Sequence, residues 1–222
     1  MSSPLTIVVA LDPDTATAAL TDSAASRVRS QDLSPAGAVG HFSARRRLTR
    51  KLLRRVRGRA AGGPIRLLDF QSMRTHADNY AAWQWQQWRA VVSGTRDAQP
   101  WWVFVDRHRA DPDTWPVSRA QQAYLAQPRV LAMTAYNAAY RHHPIPRARL
   151  ESLQSGFNAY RTLAALAAVP GDAVATDGGD LLTPSSGRLF DQLRYLHAAN
   201  DYIDRLHRDT PLVAITAQSG SE

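Results

Sequence analysis

Leu5-Thr6-Ile7-Val8-Val9-Ala10-Leu11, closed by Asp12, decides the fold class. It is a short apolar run rich in β-branched residues, the composition of a buried strand. Four further runs share its form. They are Ile65-Arg66-Leu67-Leu68 before Asp69, Trp101-Trp102-Val103-Phe104-Val105 before Asp106, Ala173-Val174-Ala175-Thr176 before Asp177, and Leu212-Val213-Ala214-Ile215 before Thr216. Helix-like segments separate them. The pattern predicts an α/β fold: a mainly parallel central sheet of about five strands, flanked by helices and helix-rich overall. In such a sheet several aspartates would gather at the carboxyl edge, where open α/β sheets place their ligands. The alternative is that these aspartates serve turns and helix N-caps.

Composition fits one soluble globular domain over residues 1–217, with a disordered tail at 218–222. The chain has 222 residues, 44% hydrophobic and 21% charged. No apolar stretch approaches the roughly 18 residues of a membrane span. The start, Met1-Ser2-Ser3-Pro4, lacks a secretory pattern. There are no cysteines, which excludes disulfides and thiolate metal sites. A cytoplasmic location is the expectation.

The net charge of +8 has one source. Residues 41–60 hold Arg45, Arg46, Arg47, Arg50, Lys51, Arg54, Arg55, Arg57 and Arg59, and no acid. Without those nine, 18 basic residues face 19 acidic ones. Ala44, Leu48, Leu52 and Val56 fall on one stripe at spacing four, which predicts a basic helix over about 43–58. Its cations attract a phosphate backbone through charge and counterion release, so nucleic acid, RNA or DNA, is the expected partner. Tyr80, Trp83 and Trp101 offer stacking faces for single strands. Trp85, Trp88 and Trp102 read as core.

Further helices are expected over Thr15–Leu20, Met73–Val92, Ser118–Gln127, Pro128–Arg141, Arg147–Ala168 and Gly187–Arg208. Ser30–Gly40 and the Gly62-Gly63-Pro64 break read as loop. His142-His143 and the remaining histidines lack the spacing of metal ligands. No phosphate-binding loop, dinucleotide glycine pattern or nucleophile elbow is present.

Asn158-Ala159-Tyr160-Arg161-Thr162-Leu163, the alanine-rich stretch that follows, and Asp172-Ala173-Val174-Ala175-Thr176-Asp177-Gly178-Gly179-Asp180 together resemble the C-terminal half of PIN-domain ribonucleases. Val9-Ala10-Leu11-Asp12 resembles that family's first strand with its metal-binding aspartate. Gly40-His41-Phe42-Ser43 with Arg46 to Leu53 resembles the helix that follows. The resemblance implies a divalent-metal-dependent endoribonuclease. Asp12, Asp177 and Asp180 would be its catalytic carboxylates on Mg²⁺ or Mn²⁺, and Asp106 would join them if the third run lies beside the first. The ion would clamp a phosphate oxygen and activate water. The sequence departs from the family at Asn158, where an aspartate is usual, and lacks the glutamate after the second strand, for which Asp69 and Asp78 are the nearest acids. Two other functions fit the residues. One is a non-catalytic DNA- or RNA-binding accessory protein, the other an interaction protein that docks an acidic partner on the basic helix.

Overall fold

The computed structural model describes residues 4–45, 51–53 and 58–219. In chain order the elements are β1 (Leu5–Ala10), α1 (Leu20–Arg29), β2 (Leu33–Ala38), β3 (Phe42–Ser43), β4 (Arg59–Ala60) and β5 (Gly62–Pro64). Then come α2 (Phe70–Val91), α3 (Trp101–Ala110), α4 (Val117–Leu125), α5 (Pro128–Ala139), α6 (Leu150–Gln154) and α7 (Phe157–Ala167). The chain closes with β6 (Ala173–Ala175), β7 (Leu181–Leu182), α8 (Leu189–Arg205) and β8 (Pro211–Ser219). The chain divides into two compact units. The first comprises Met1–Ala77, Ala164–Ser186 and Asp191–Glu222; the second comprises Asp78–Leu163 and Gly187–Phe190.

The first unit holds the sheet. Its order is β2-β8-β1-β6-β7, and β5 also pairs with β8. The chain is α/β and helix-rich, as expected, but the sheet is mixed. Among the described residues only β1 and β6 run parallel, with Val8 beside Val174. β8 lies antiparallel against β1 from Leu5–Ala217 to Ala10–Leu212. Its other edge is shared in series, by β5 along Pro211–Val213 and by β2 from Ile215 to Ser219. Residues 218 and 219 are therefore paired strand rather than tail, and 220–222 lie outside the described residues.

Three of the five apolar runs are strands. Ile65–Leu67 forms a 3-10 turn, because Pro64 presets the backbone and Asp69 then caps α2 by accepting the Ser72 N–H (3.0 Å). Trp101–Val105 opens α3, with Pro100 at the N-cap and Arg107, His108 and Arg109 in the last turn, where cations suit a helix. A five-residue apolar run does not separate strand from buried helix, and the helical continuation through residue 110 settles it. Pro35 and Gly37 made β2 read as a loop. It is an edge strand, where proline is tolerated, with a bulge between those two residues.

Ile7, Val8, Val9 and Ala10 are fully buried. On one face Ile7, Val9, Ala173, Ala175, Val213, Ile215 and Ala217 pack with Leu20, Ala24 and Val28 of α1. Spacing four along α1 makes that apolar stripe.

The basic segment starts and ends in a small ribbon, where Phe42 faces Ala60 and Ser43 faces Arg59. Within it Ala44 bridges Leu68 and Leu53 bridges Gly62. The Leu53 N–H donates to Gly62 C=O and the Ala61 N–H to Leu53 C=O, both at 2.9 Å. These bonds use the backbone groups a helix would need, so at its described residues the segment is not the expected continuous helix over 43–58. Arg46, Arg47, Leu48, Arg50, Arg54, Arg55, Val56 and Arg57 lie outside the described residues.

The second unit is helical. Gly156, at φ +105°, divides the single helix expected over 147–168 into α6 and α7. Trp85 Nε1–H donates to Leu153 C=O and Trp102 Nε1–H to Glu151 Oε2, each at 3.0 Å. The Arg129 side chain is buried and donates to Thr95 and Gln154 while pairing with Asp97.

A β-carbon at Gly62 would stand 2.3 Å from Leu212 O and 2.9 Å from Val213 Cα, both backbone atoms of β8. Gly62→Ala should therefore cost about 3 kcal/mol, the upper part of the overpacking range. A urea denaturation curve with an unchanged midpoint would contradict that close approach.

Candidate nucleic-acid interface

Asp12 and Asp177 follow β1 and β6, which are parallel neighbours with Val9 beside Ala175. They stand at the same edge of the sheet on adjacent strands. Asp12 Oδ1 accepts the Asp14 N–H (2.8 Å), a local turn bond. The Tyr202 hydroxyl, from α8, donates to Asp177 Oδ1 (2.9 Å) and accepts the Asp177 N–H (2.8 Å). Burial, with the Asp177 carboxylate adding to it, pushes the Tyr202 phenol up to about 12. Asp180 closes the β6–β7 turn: its N–H donates to Thr176 Oγ1 (3.0 Å) and its C=O accepts the Thr176 N–H (2.8 Å).

The other acids raised by the sequence lie elsewhere. Asp106 is on α3 of the second unit, not at a strand end, and pairs with Arg188 at 2.6 Å. Asp69 is the α2 cap. Asp78 accepts both Arg161 Nε–H (2.9 Å) and Nη2–H (2.6 Å), and that guanidinium holds its carboxyl below the usual range. Asn158 is an exposed residue of α7.

Sequence reading missed Arg27. Its guanidinium donates to Ala10 C=O (3.2 Å) and Thr176 C=O (2.6 Å), bridging the carboxyl ends of β1 and β6. The only local signal is its place on α1 beside the Leu20-Ala24-Val28 stripe. That helix was expected to end near Leu20.

A fixed cation at the very edge changes what the aspartates can do. Among the described residues no three of His, Asp or Glu are grouped to hold a metal ion. Arg27 Nη1 is engaged by the two strand-end carbonyls, and the Asp177 carboxylate is engaged by Tyr202. A cleft of about 290 Å³ lies at the carboxyl end of β1, lined by Pro13, Thr15, Thr17, Lys51, Arg66 and Asp209 among others. Arg66 is paired with Asp209. Lys51 brings the basic segment to this cleft. Arg45, Lys51 and Arg59 are exposed and have no carboxylate partner among the described residues.

No family model matches the chain, no curated protein matches it in sequence, and no solved structure matches it. Among the described residues no helix is long and apolar enough to cross a membrane.

Arg27→Met should destabilise the protein by about 2–3 kcal/mol, since bonds to a charged donor contribute about 1.5–3 kcal/mol and two buried carbonyls lose their partner. A thermal melt within error of wild type would show that the bridge contributes nothing.

The pH dependence has a definite sign. The folded Tyr202 pKa, about 12, lies above the unfolded value of about 10. The neutral phenol's contribution is complete below pH 10 and is lost as pH rises through 12. Tyr202→Phe should flatten part of the fall in melting temperature over that window. An identical fall in the variant would contradict the assignment.

Proposed function

We propose that the protein binds nucleic acid by its phosphate backbone, along the basic segment at 45–59 and into the cleft at the carboxyl end of β1. One observation carries this reading. Nine cations without an acid occupy residues 41–60, and the described part of that segment bridges Leu68 through Ala44 and strand β5 through Leu53, with Lys51 lining the cleft. Cations gathered on one segment attract a phosphate chain by charge and by release of its counterions. Arg27 adds a fixed positive charge at the neighbouring strand ends. Salt dependence of binding is the test. Replacing Arg45, Lys51 and Arg59 together by Glu should lower the slope of log K against log salt by about 2–3 units, at about 0.7–0.9 per phosphate contact. Surface changes of this kind usually cost within about 0.5 kcal/mol each, so the melt should stay close to wild type. An unchanged slope would refute the interface.

A second reading is metal-dependent cleavage of RNA. Its support is the placement of Asp12 and Asp177 on adjacent parallel strands, together with the resemblance of the flanking sequence to PIN-domain ribonucleases. It requires Asp177 to release Tyr202. Under this reading Asp12→Asn abolishes cleavage in Mn²⁺ and leaves binding nearly intact, and EDTA acts like the mutation. Cleavage that persists in EDTA, or in the variant, removes this reading and leaves the binding function standing.

A further inference from the structure

The second unit presents an exposed row of aromatic rings. Trp83 and Tyr80 of α2 are 37% and 47% exposed, with ring centroids 5.5 Å apart. His143 packs edge-on to Trp83 at 5.3 Å. One turn back, where the His143 N–H meets Tyr140 C=O, Tyr140 stacks on Tyr136 at 4.8 Å and is 61% exposed. α5 and the 141–146 connection hold the row in place. Asn137 exchanges two hydrogen bonds with the Ile145 backbone (2.7 and 2.9 Å), and Ile145 is buried.

The charge around the row is positive and uncompensated. The unit contains 11 basic and 6 acidic residues. Five of the acids are bonded within it: Asp78 to Arg161, Asp97 to Arg129, Asp106 to Arg188, Asp111 to the Thr114 N–H, and Glu151 to Trp102 and the Leu189 N–H. Arg141, Arg147 and Arg149, on the connection and the turn after it, are exposed and have no carboxylate partner among the described residues. Arg149 and Tyr80 both neighbour the buried Tyr160 hydroxyl, so this cation stands on the Tyr80 side of the row.

We infer that this surface binds single-stranded nucleic acid, with bases stacked on Trp83, His143 and Tyr140 and phosphates held by Arg141, Arg147 and Arg149. Exposed π-faces beside exposed guanidinium groups without a carboxylate partner are the combination by which proteins hold unpaired strands without reading sequence. A duplex keeps its bases stacked internally and presents only phosphates, so it gains nothing from the rings. The inference deepens the proposed function and rests on it for the partner class. It rests on the second unit alone for the stacking.

The test measures binding of a labelled 15-nucleotide oligo(U), the matching oligo(dT) and a duplex of equal length by fluorescence anisotropy at fixed salt. Trp83→Ala and Tyr140→Ala should each weaken binding of the single strands about 5- to 150-fold, the range for one lost base stack, with the duplex unaffected. Trp83→Phe should retain most of the affinity. Tyr140 is the more exposed ring, so its variant remains informative if Trp83→Ala fails to fold. Alanine variants that bind oligo(U) and oligo(dT) like wild type overturn the inference. So does a loss that is equal for single strand and duplex, or equal displacement of the strand from wild type and variant by polyglutamate, which would mark a surface that recognises charge alone. Wild type that binds both forms alike, through the Arg45–Arg59 segment only, also overturns it and leaves the proposed function intact. No binding to any of the three probes removes both.

Discussion

β1 is hydrogen-bonded on both edges, parallel to β6 and antiparallel to β8, and four of its residues have no exposed surface. Everything proposed for the first unit depends on that pairing. The parallel partner brings the loops after Ala10 and Ala175 to one edge, and hence Asp12, Asp177 and the Arg27 bridge. The antiparallel partner brings β5 against the far side of β8, and β5 in turn ties the basic segment through Gly62 and Leu53. Gly62 sits at the junction, where its missing side chain lets the backbone approach Leu212 O.

The strands that could be read from sequence are those buried on both faces. Ile7–Ala10, Ala173–Ala175 and Leu212–Ile215 are continuous apolar runs because both sides of the sheet at those points are covered. Leu33–Ala38 was not legible, since an edge strand with Pro35 and Gly37 has the composition of a loop. Its pairing comes from the free edge of β8, which no local pattern encodes. Trp101–Val105 misled for the opposite reason: its aromatic and β-branched residues belong to a helix capped by Pro100, of which only Phe104 is buried. Mixed sheet direction is likewise not a local property. β8 has the same apolar run in either direction, and only its connection after α8 sets its polarity.

The site divides in the same way. Both strand-end aspartates were legible, because each closes a run that is a strand, and their place at one edge follows from parallel pairing. Asp106 closes a run that is a helix, and it became an ion-pair partner of Arg188. Arg27 had no signature at all: its acceptors are main-chain carbonyls 17 and 149 residues away. Where the sequence suggested a cluster of negative charge, the structure places a guanidinium between strand ends and a tyrosine on one of the carboxylates. The carboxylates that the sequence placed at this edge therefore have partners within the fold.

Hydrogen exchange with and without a 15-nucleotide single strand tests the central claim most directly, because it locates the bound chain on the protein. Backbone binding at the basic segment predicts slowed exchange in peptides covering 41–60 and the 13–17 loop, with the β2 edge at 33–38 unchanged. Unaltered exchange across 41–60 under conditions that saturate the protein, or protection confined to the β2 edge, would contradict it.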